Sequence, residues 1–267
     1  MGNPTKLFIV EGEHRDFRLT EELIQCFFKG RYDAKIISLP AAQNLYMLYQ
    51  KLAEDNFDTD IVEILRDNID VAEKKLRGIT RQEIDEVYLF FDYDPQQNNT
   101  CTEGPNARER LQMMLDTFDN ETENGRLYIS YPMVEAVYDY NAGKCEAFSN
   151  CFVALDSIKE YKQSSGKDNP AASRKLRIKE WKDILSIFFL RIKCLFELDD
   201  LDYHTYQNKI SPKSVFTKEQ QLVDNNRQVY VLSAFPEFLF DNFKKDFWIS
   251  NTHLKKYHFD NCPINRQ

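Results

Sequence analysis

From Lys6 to Glu11 the chain reads Lys-Leu-Phe-Ile-Val-Glu, an unbroken apolar run with a charge at each end. A run without a polar face predicts a short strand buried on both sides. Gly12 ends it. Phe17, Leu19, Leu23, Ile24, Phe27 and Phe28 then recur near the helical period, with Gly30 placed as a helix stop. Ala34 to Leu39, closed by Pro40, is a second apolar run. Strand, helix, strand in that order predicts a parallel pair joined by a right-handed crossover.

Residues 41–77 predict two helices, one carrying Leu45, Met47, Leu48 and Leu52, the other Ile61, Ile64, Leu65, Ile69, Val71 and Leu76 up to Gly78. Val87 to Asp94 is the strongest strand signal in the chain, followed by a polar loop to Pro105, a helix over 107–118 and a fourth strand, Arg126 to Tyr131, ended by Pro132. Beyond 133 no strand pattern returns until Gln228 to Leu232. The longest helix is expected from Ala171 to Glu197, after a segment from Gln163 to Ala172 rich in Ser, Gly, Asn and Pro that reads as flexible. The expected fold class is α/β. A mainly parallel sheet with helices on both faces would occupy residues 1–143, with a helical insert at 41–85. A mostly helical domain, 144–267, would follow.

Composition narrows the class. Apolar residues make up 42%, with 20 Phe and 14 Tyr, enough for a sizeable core, and the 8 Gly and 9 Pro are too few for a turn-rich all-β chain. A membrane helix needs about 18 apolar residues in a row. The best stretch, Ile184 to Leu190, is short and contains Ser186. With no signal-peptide pattern at the start, a cytoplasmic protein is expected. The six cysteines form no Cys-x-x-Cys pair, and Cys26 and Cys194 sit in apolar helical contexts as small core residues. His253, His258 and Cys262 lack the fourth ligand of a tetrahedral zinc site. The net charge of −8 argues against a wide grip on duplex nucleic acid, though not against a nuclease, whose bound divalent ions offset its acids.

Three places carry candidate chemistry. Glu11 directly follows the first buried run, at the carboxyl edge where open α/β sheets place ligands, and Gly12 lets the chain turn sharply there. Asp92 and Asp94 flank Tyr93 at the end of the strongest strand. In an extended chain, residues two apart point the same way, so two like charges meet and a cation between them would relieve the repulsion. Oxygen-rich donors suit Mg²⁺ or Mn²⁺. Glu135, four residues after Tyr131, follows the fourth strand in the same fashion. It also suits a helix start for dipole reasons alone.

Val10-Glu11-Gly12 and Asp92-Tyr93-Asp94, in this order and with strand, helix and strand between them, resemble the Toprim fold over about residues 5–140. The resemblance implies that Glu11 acts as general acid or base and that Asp92 and Asp94 hold the metal. Together with Tyr131-Pro132-Met133-Val134-Glu135 and the helical second half, the chain resembles small Toprim nuclease effectors of bacterial phage defence, of the OLD and PARIS types. That likeness implies a toxic nuclease acting on RNA, tRNA or DNA and an ATPase partner that senses infection; a homo-oligomer is a further expectation, although the sequence does not give the oligomeric state. Many Toprim nucleases read Glu-Gly-x-x-Asp. Here Arg15 takes the acid's place and Asp16 follows it, so Asp16 and Glu13 both stand as candidates for a second metal.

Two other readings use the same residues. The Toprim unit could be an interaction module bound to an ATPase. Alternatively, Asp92-x-Asp94 resembles haloacid dehalogenase phosphatases, with Asp92 as nucleophile and Asp199-Asp200 as the downstream acids, although Pro95-Gln96 departs from that pattern and two strands precede it. Between 156 and 193, basic residues outnumber acids. If this stretch grips phosphates, Lys175, Lys179 and Lys182 form the expected outward face, with Trp181, Phe188 and Phe189 in the core.

Overall fold

The structure is a computed structural model that describes residues 4–40, 45–93, 105–140 and 151–251. In chain order its elements are β1 (Thr5–Val10), α1 (Arg15–Phe27), β2 (Asp33–Ser38), α2 (Leu45–Glu54), α3 (Ile61–Asn68), α4 (Asp70–Lys75), β3 (Ile84–Asp92), α5 (Ala107–Thr117), β4 (Asp119–Asn120) and β5 (Gly125–Ser130). There follow β6 (Phe152–Ala154), α6 (Ile158–Tyr161), α7 (Ile178–Leu195), α8 (Tyr203–Lys209), α9 (Pro212–Asn226), β7 (Gln228–Tyr230) and α10 (Ala234–Asn251). The chain divides into two compact units. One comprises Met1–Phe91 and Gln96–Tyr128, the other Asp92–Pro95 and Ile129–Gln267.

The fold is α/β. Five strands run in the order β2-β1-β3-β5-β4, with β1 parallel to both β2 and β3, and helices flank the sheet. β1 is the reason the sheet forms. All six of its residues are buried, and Leu7, Phe8, Ile9 and Val10 are wholly inaccessible. Full burial of such side chains contributes roughly 1.5–3 kcal/mol each. β1 starts with a charge that needs a partner. Lys6 is 3% exposed, pairs with Glu86, and its ammonium lies 4.1 Å from the Tyr32 ring centroid.

The helical insert corrects the expected pair of helices to three. The second breaks at Ile69, which is extended (φ −133°, ψ 107°) and buried. Asn68 and Asp70 flank it, residue types that favour helix ends. The Asn68 side chain donates to the Ile64 carbonyl at 2.7 Å.

In the second unit, β6 and β7 form an antiparallel pair, and α10 packs on α7 and α8. β7 falls where the Gln228–Leu232 pattern puts it, whereas β6, three residues long, carried no signal. Helix α7 begins at Ile178 rather than Ala171. Asn169 caps a single 3-10 turn over Pro170–Ser173, accepting from the Ala171 N–H at 2.9 Å, and the chain is extended at Arg174 and Arg177 before α7 starts. The segment expected to be flexible is ordered. It continues α6 as a π turn over Lys162–Lys167, in which Ser165 donates to Asp139 at 3.2 Å. Trp181, Phe188 and Phe189 are core, and so is the run from Tyr230 to Phe235. The Cys194 thiol is buried and donates to the Leu190 carbonyl. Among the described residues no helix is long and apolar enough to cross a membrane.

Gly125 opens β5 with φ 106°, and a Cβ there would come within 2.6 Å of Leu89 and 3.1 Å of Val87 on β3. Backbone strain and overpacking therefore act together. Gly125→Ala should destabilise the protein by about 2–4 kcal/mol in urea unfolding. An unchanged midpoint would show that β5 can shift away from β3 at little cost.

Candidate functional site

The register of β1 and β3 sets the backbone positions of the two leading candidates. Val10 pairs with Phe90. Glu11 leaves the sheet one residue after Val10, and Asp92 ends β3 two residues after Phe90. Both thus lie at the carboxyl ends of neighbouring parallel strands. Both are half-buried, where the four residues before Glu11 are inaccessible. Asp94 lies outside the described residues, as do Cys101, Cys145, His253, His258 and Cys262.

The turn after β1 is shaped by a close approach. A Cβ on Gly12 would meet the Asp16 carboxylate, with Oδ2 at 2.1 Å. The Asp16 carboxylate thus lies against Gly12, the residue after Glu11, and would have to move if a side chain were placed there. Asp16 is 9% exposed and lies in the first turn of α1, where the helix dipole favours a negative charge. Glu13 is exposed. Of the two acids considered for an additional role, Asp16 is therefore the one held against the Glu11 turn.

Glu135 sits in a 3-10 turn, Val134–Tyr138, and is 2% exposed. Lys175, Lys179 and Lys182 are all exposed. Lys175 precedes α7, so the three do not share one helical face, while Lys179 and Lys182 do, one turn apart. Asp199 and Asp200 are exposed in the turn after α7, and the Asp199 carbonyl accepts from Lys193 Nζ at 2.7 Å.

Directly after Asp92 the chain enters a polar interior shared with α9 and β7. Tyr93 is 7% exposed. Its N–H donates to the Ser130 carbonyl at 2.9 Å, and its hydroxyl accepts from Gln220 Nε2 at 3.1 Å. The neighbouring Glu219 is wholly buried, and its carboxylate accepts the Tyr230 N–H at 3.1 Å. Burial pushes the Glu219 carboxyl up to about 8, with that hydrogen bond opposing the shift. Burial first, then the nearby Glu219 and Glu237 carboxyls, push the Tyr131 hydroxyl well above its ordinary value. A signal was present in the sequence. Val215, Phe216, Glu219 and Gln220 all lie on the buried side of α9, so two polar residues occupy positions that helical spacing assigns to the core.

Every donor named at the strand ends is a carboxylate oxygen, a set that fits a hard divalent cation. Among the described residues, three or more His, Cys, Asp or Glu side chains do not form a ready metal cradle. The arrangement defines an α/β protein with acids at the carboxyl ends of its two central strands. No protein-family model matches the chain, and neither does a curated protein or a solved structure. The Toprim likeness accordingly rests on motif.

Glu219 makes a testable link between this interior and pH. Its folded pKa is raised from an ordinary 4.5 to about 8, so the folded state retains a proton that the unfolded state releases. Stability should fall as pH rises through that window, by up to about 1.4 kcal/mol per pH unit for one proton. In Glu219→Gln that slope should flatten, leaving the variant more stable than wild type at pH 8. Equal slopes in the two proteins would place the Glu219 titration elsewhere.

Proposed function

We propose that the protein is a divalent-metal-dependent nuclease of the Toprim kind that hydrolyses phosphodiester bonds in RNA or DNA. Its role would be that of a toxic effector in phage defence, governed by an ATPase partner. The observation that carries the reading is the placement of Glu11 and Asp92 at the carboxyl ends of two adjacent, buried parallel strands. Both acids are half-buried, at the edge where open α/β sheets place ligands. The Asp16 carboxylate held over Gly12 adds a further oxygen donor beside Glu11.

In this reading Asp92 and Asp94 would hold Mg²⁺ or Mn²⁺, and Glu11 would take or give the proton at the scissile oxygen. The bound ion would supply Lewis-acid polarisation of the phosphate and a lowered pKa for the attacking water. Asp16 supports the Glu11 side of the site. Lys179 and Lys182 are the candidate phosphate contacts on α7.

Incubation of the purified protein with Mg²⁺ or Mn²⁺ and a panel of DNA, total RNA and tRNA should yield cleavage products. Asp92→Asn and Glu11→Gln should each lower the rate roughly 100-fold or more. The melting temperature should hold or rise, since a repelling charge has been removed. Full activity in Asp92→Asn would sink the assignment. Stable capture of an ATPase without any cleavage would instead identify an interaction module.

A second measurement addresses substrate grip. In Lys179→Glu/Lys182→Glu the log–log salt slope of binding should shrink by about one unit per lost phosphate contact. An unchanged slope would return α7 to an ordinary solvated face.

A further inference from the structure

We infer that the Tyr93–Gln220 contact is a positioning device for the Asp92 carboxylate, by which helix α9 controls metal affinity. The inference rests on the reading of Asp92 as a metal ligand. In an extended segment, the residue after Asp92 points to the opposite side. Fixing the Tyr93 side chain therefore fixes the rotation of the backbone that carries Asp92.

Tyr93 is held in three ways. Its N–H donates to the Ser130 carbonyl at 2.9 Å. Its ring lies 5.1 Å from that of Tyr131 and meets Phe216 of α9 edge-on at 6.4 Å. Its hydroxyl accepts from Gln220 at 3.1 Å in a fully buried contact. The partners are themselves anchored. Tyr131 and Leu232 exchange two backbone hydrogen bonds, of 2.8 and 2.7 Å, and the Ser130 hydroxyl accepts from the Ala234 N–H at 3.2 Å, where α10 begins. Glu219, beside Gln220, grips the Tyr230 N–H of β7 and so fixes the rotation of α9.

Packing alone does not call for the hydroxyl–amide pair. Replacing both partners of a buried hydrogen bond by apolar groups of similar shape is nearly neutral for stability, whereas orphaning one is costly. What the bond adds is direction. Ring contacts tolerate rocking, whereas a hydrogen bond between two buried groups does not. Groups that orient a metal ligand from behind typically change metal affinity 10- to 100-fold when lost.

This separation of stability from geometry gives the test. Mn²⁺ binding to the full chain, read from the electron paramagnetic resonance signal of free Mn²⁺, is compared with thermal unfolding. The set is wild type, Asp92→Asn, Tyr93→Phe, Gln220→Met and the double variant. Asp92→Asn should lose Mn²⁺ binding. The two single variants should melt lower, each having one orphaned partner. The double variant should regain most of that stability yet bind Mn²⁺ about 10-fold more weakly than wild type. Wild-type affinity in the double variant, with binding lost in Asp92→Asn, overturns the positioning role alone. Wild-type affinity in Asp92→Asn, or no binding by wild type, overturns the metal site and this inference with it. Should the double variant not fold, Tyr93→Phe, which keeps the ring, carries the same comparison.

Discussion

The sheet depends on one constraint, that β1 is buried along its whole length. A strand closed off on both faces has no side on which to keep a charge, so its charges are pushed to its ends. At the amino end this produces the Lys6–Glu86 pair, whose ammonium also lies against the rings of Tyr32 and Tyr88. At the carboxyl end it produces Glu11, the first position after four inaccessible residues where a carboxylate meets solvent. β3 repeats the pattern. Val87 to Phe90 are buried, and Asp92 ends the strand. The parallel register converts two separate strand ends into neighbouring positions on one edge.

The second unit is specified by different means. Its core is also aromatic and apolar, but directional polar contacts run through it. Asp139 accepts from the Tyr161 hydroxyl at 2.9 Å and from Ser165, while Arg191 donates to the Val231 carbonyl at 2.7 Å. Burial raises the Asp139 carboxyl, and the Arg191 guanidinium draws it back. Buried bonds of this kind contribute about 1 kcal/mol net each, yet they admit few alternative packings, because a misplaced partner leaves a desolvated group unsatisfied.

These two modes of construction explain what could be read from the chain. The strands β1, β2, β3 and β5 were legible because a short apolar stretch bounded by polar or turn residues has few other homes. Glu11 and Asp92 were legible because each follows such a run without a spacer. The helix breaks were not. Ile69 looks like one more member of a helical stripe, and its extended backbone follows from the end-forming residues on either side, Asn68 and Asp70. The start of α7 was hidden in the same way, since Asn169-Pro170 does begin a helical turn, one that stops after four residues. Asp16 was visible as an acid displaced by one position. That it folds over Gly12 depends on a three-dimensional approach that no spacing conveys. Glu219 and Gln220 were passed over because polar residues on a helix are read as solvent-facing by default, and here the default fails.

Charge constrains the proposed site. The chain carries −8, and the acids at the strand ends repel a phosphodiester on their own. At physiological ionic strength such repulsion reaches about 8 Å, far enough to keep a phosphate from the carboxylates but too short for distant lysines to cancel it. In the proposed reading Asp92 and Asp94 would hold a divalent cation whose charge would offset that of the carboxylates. In that reading, whatever fixes Asp92 would bear on substrate binding as well as on chemistry. The Tyr93–Gln220 contact would then act as a control point, since a rotation of Asp92 would lower cation occupancy and, with it, the attraction for a phosphate.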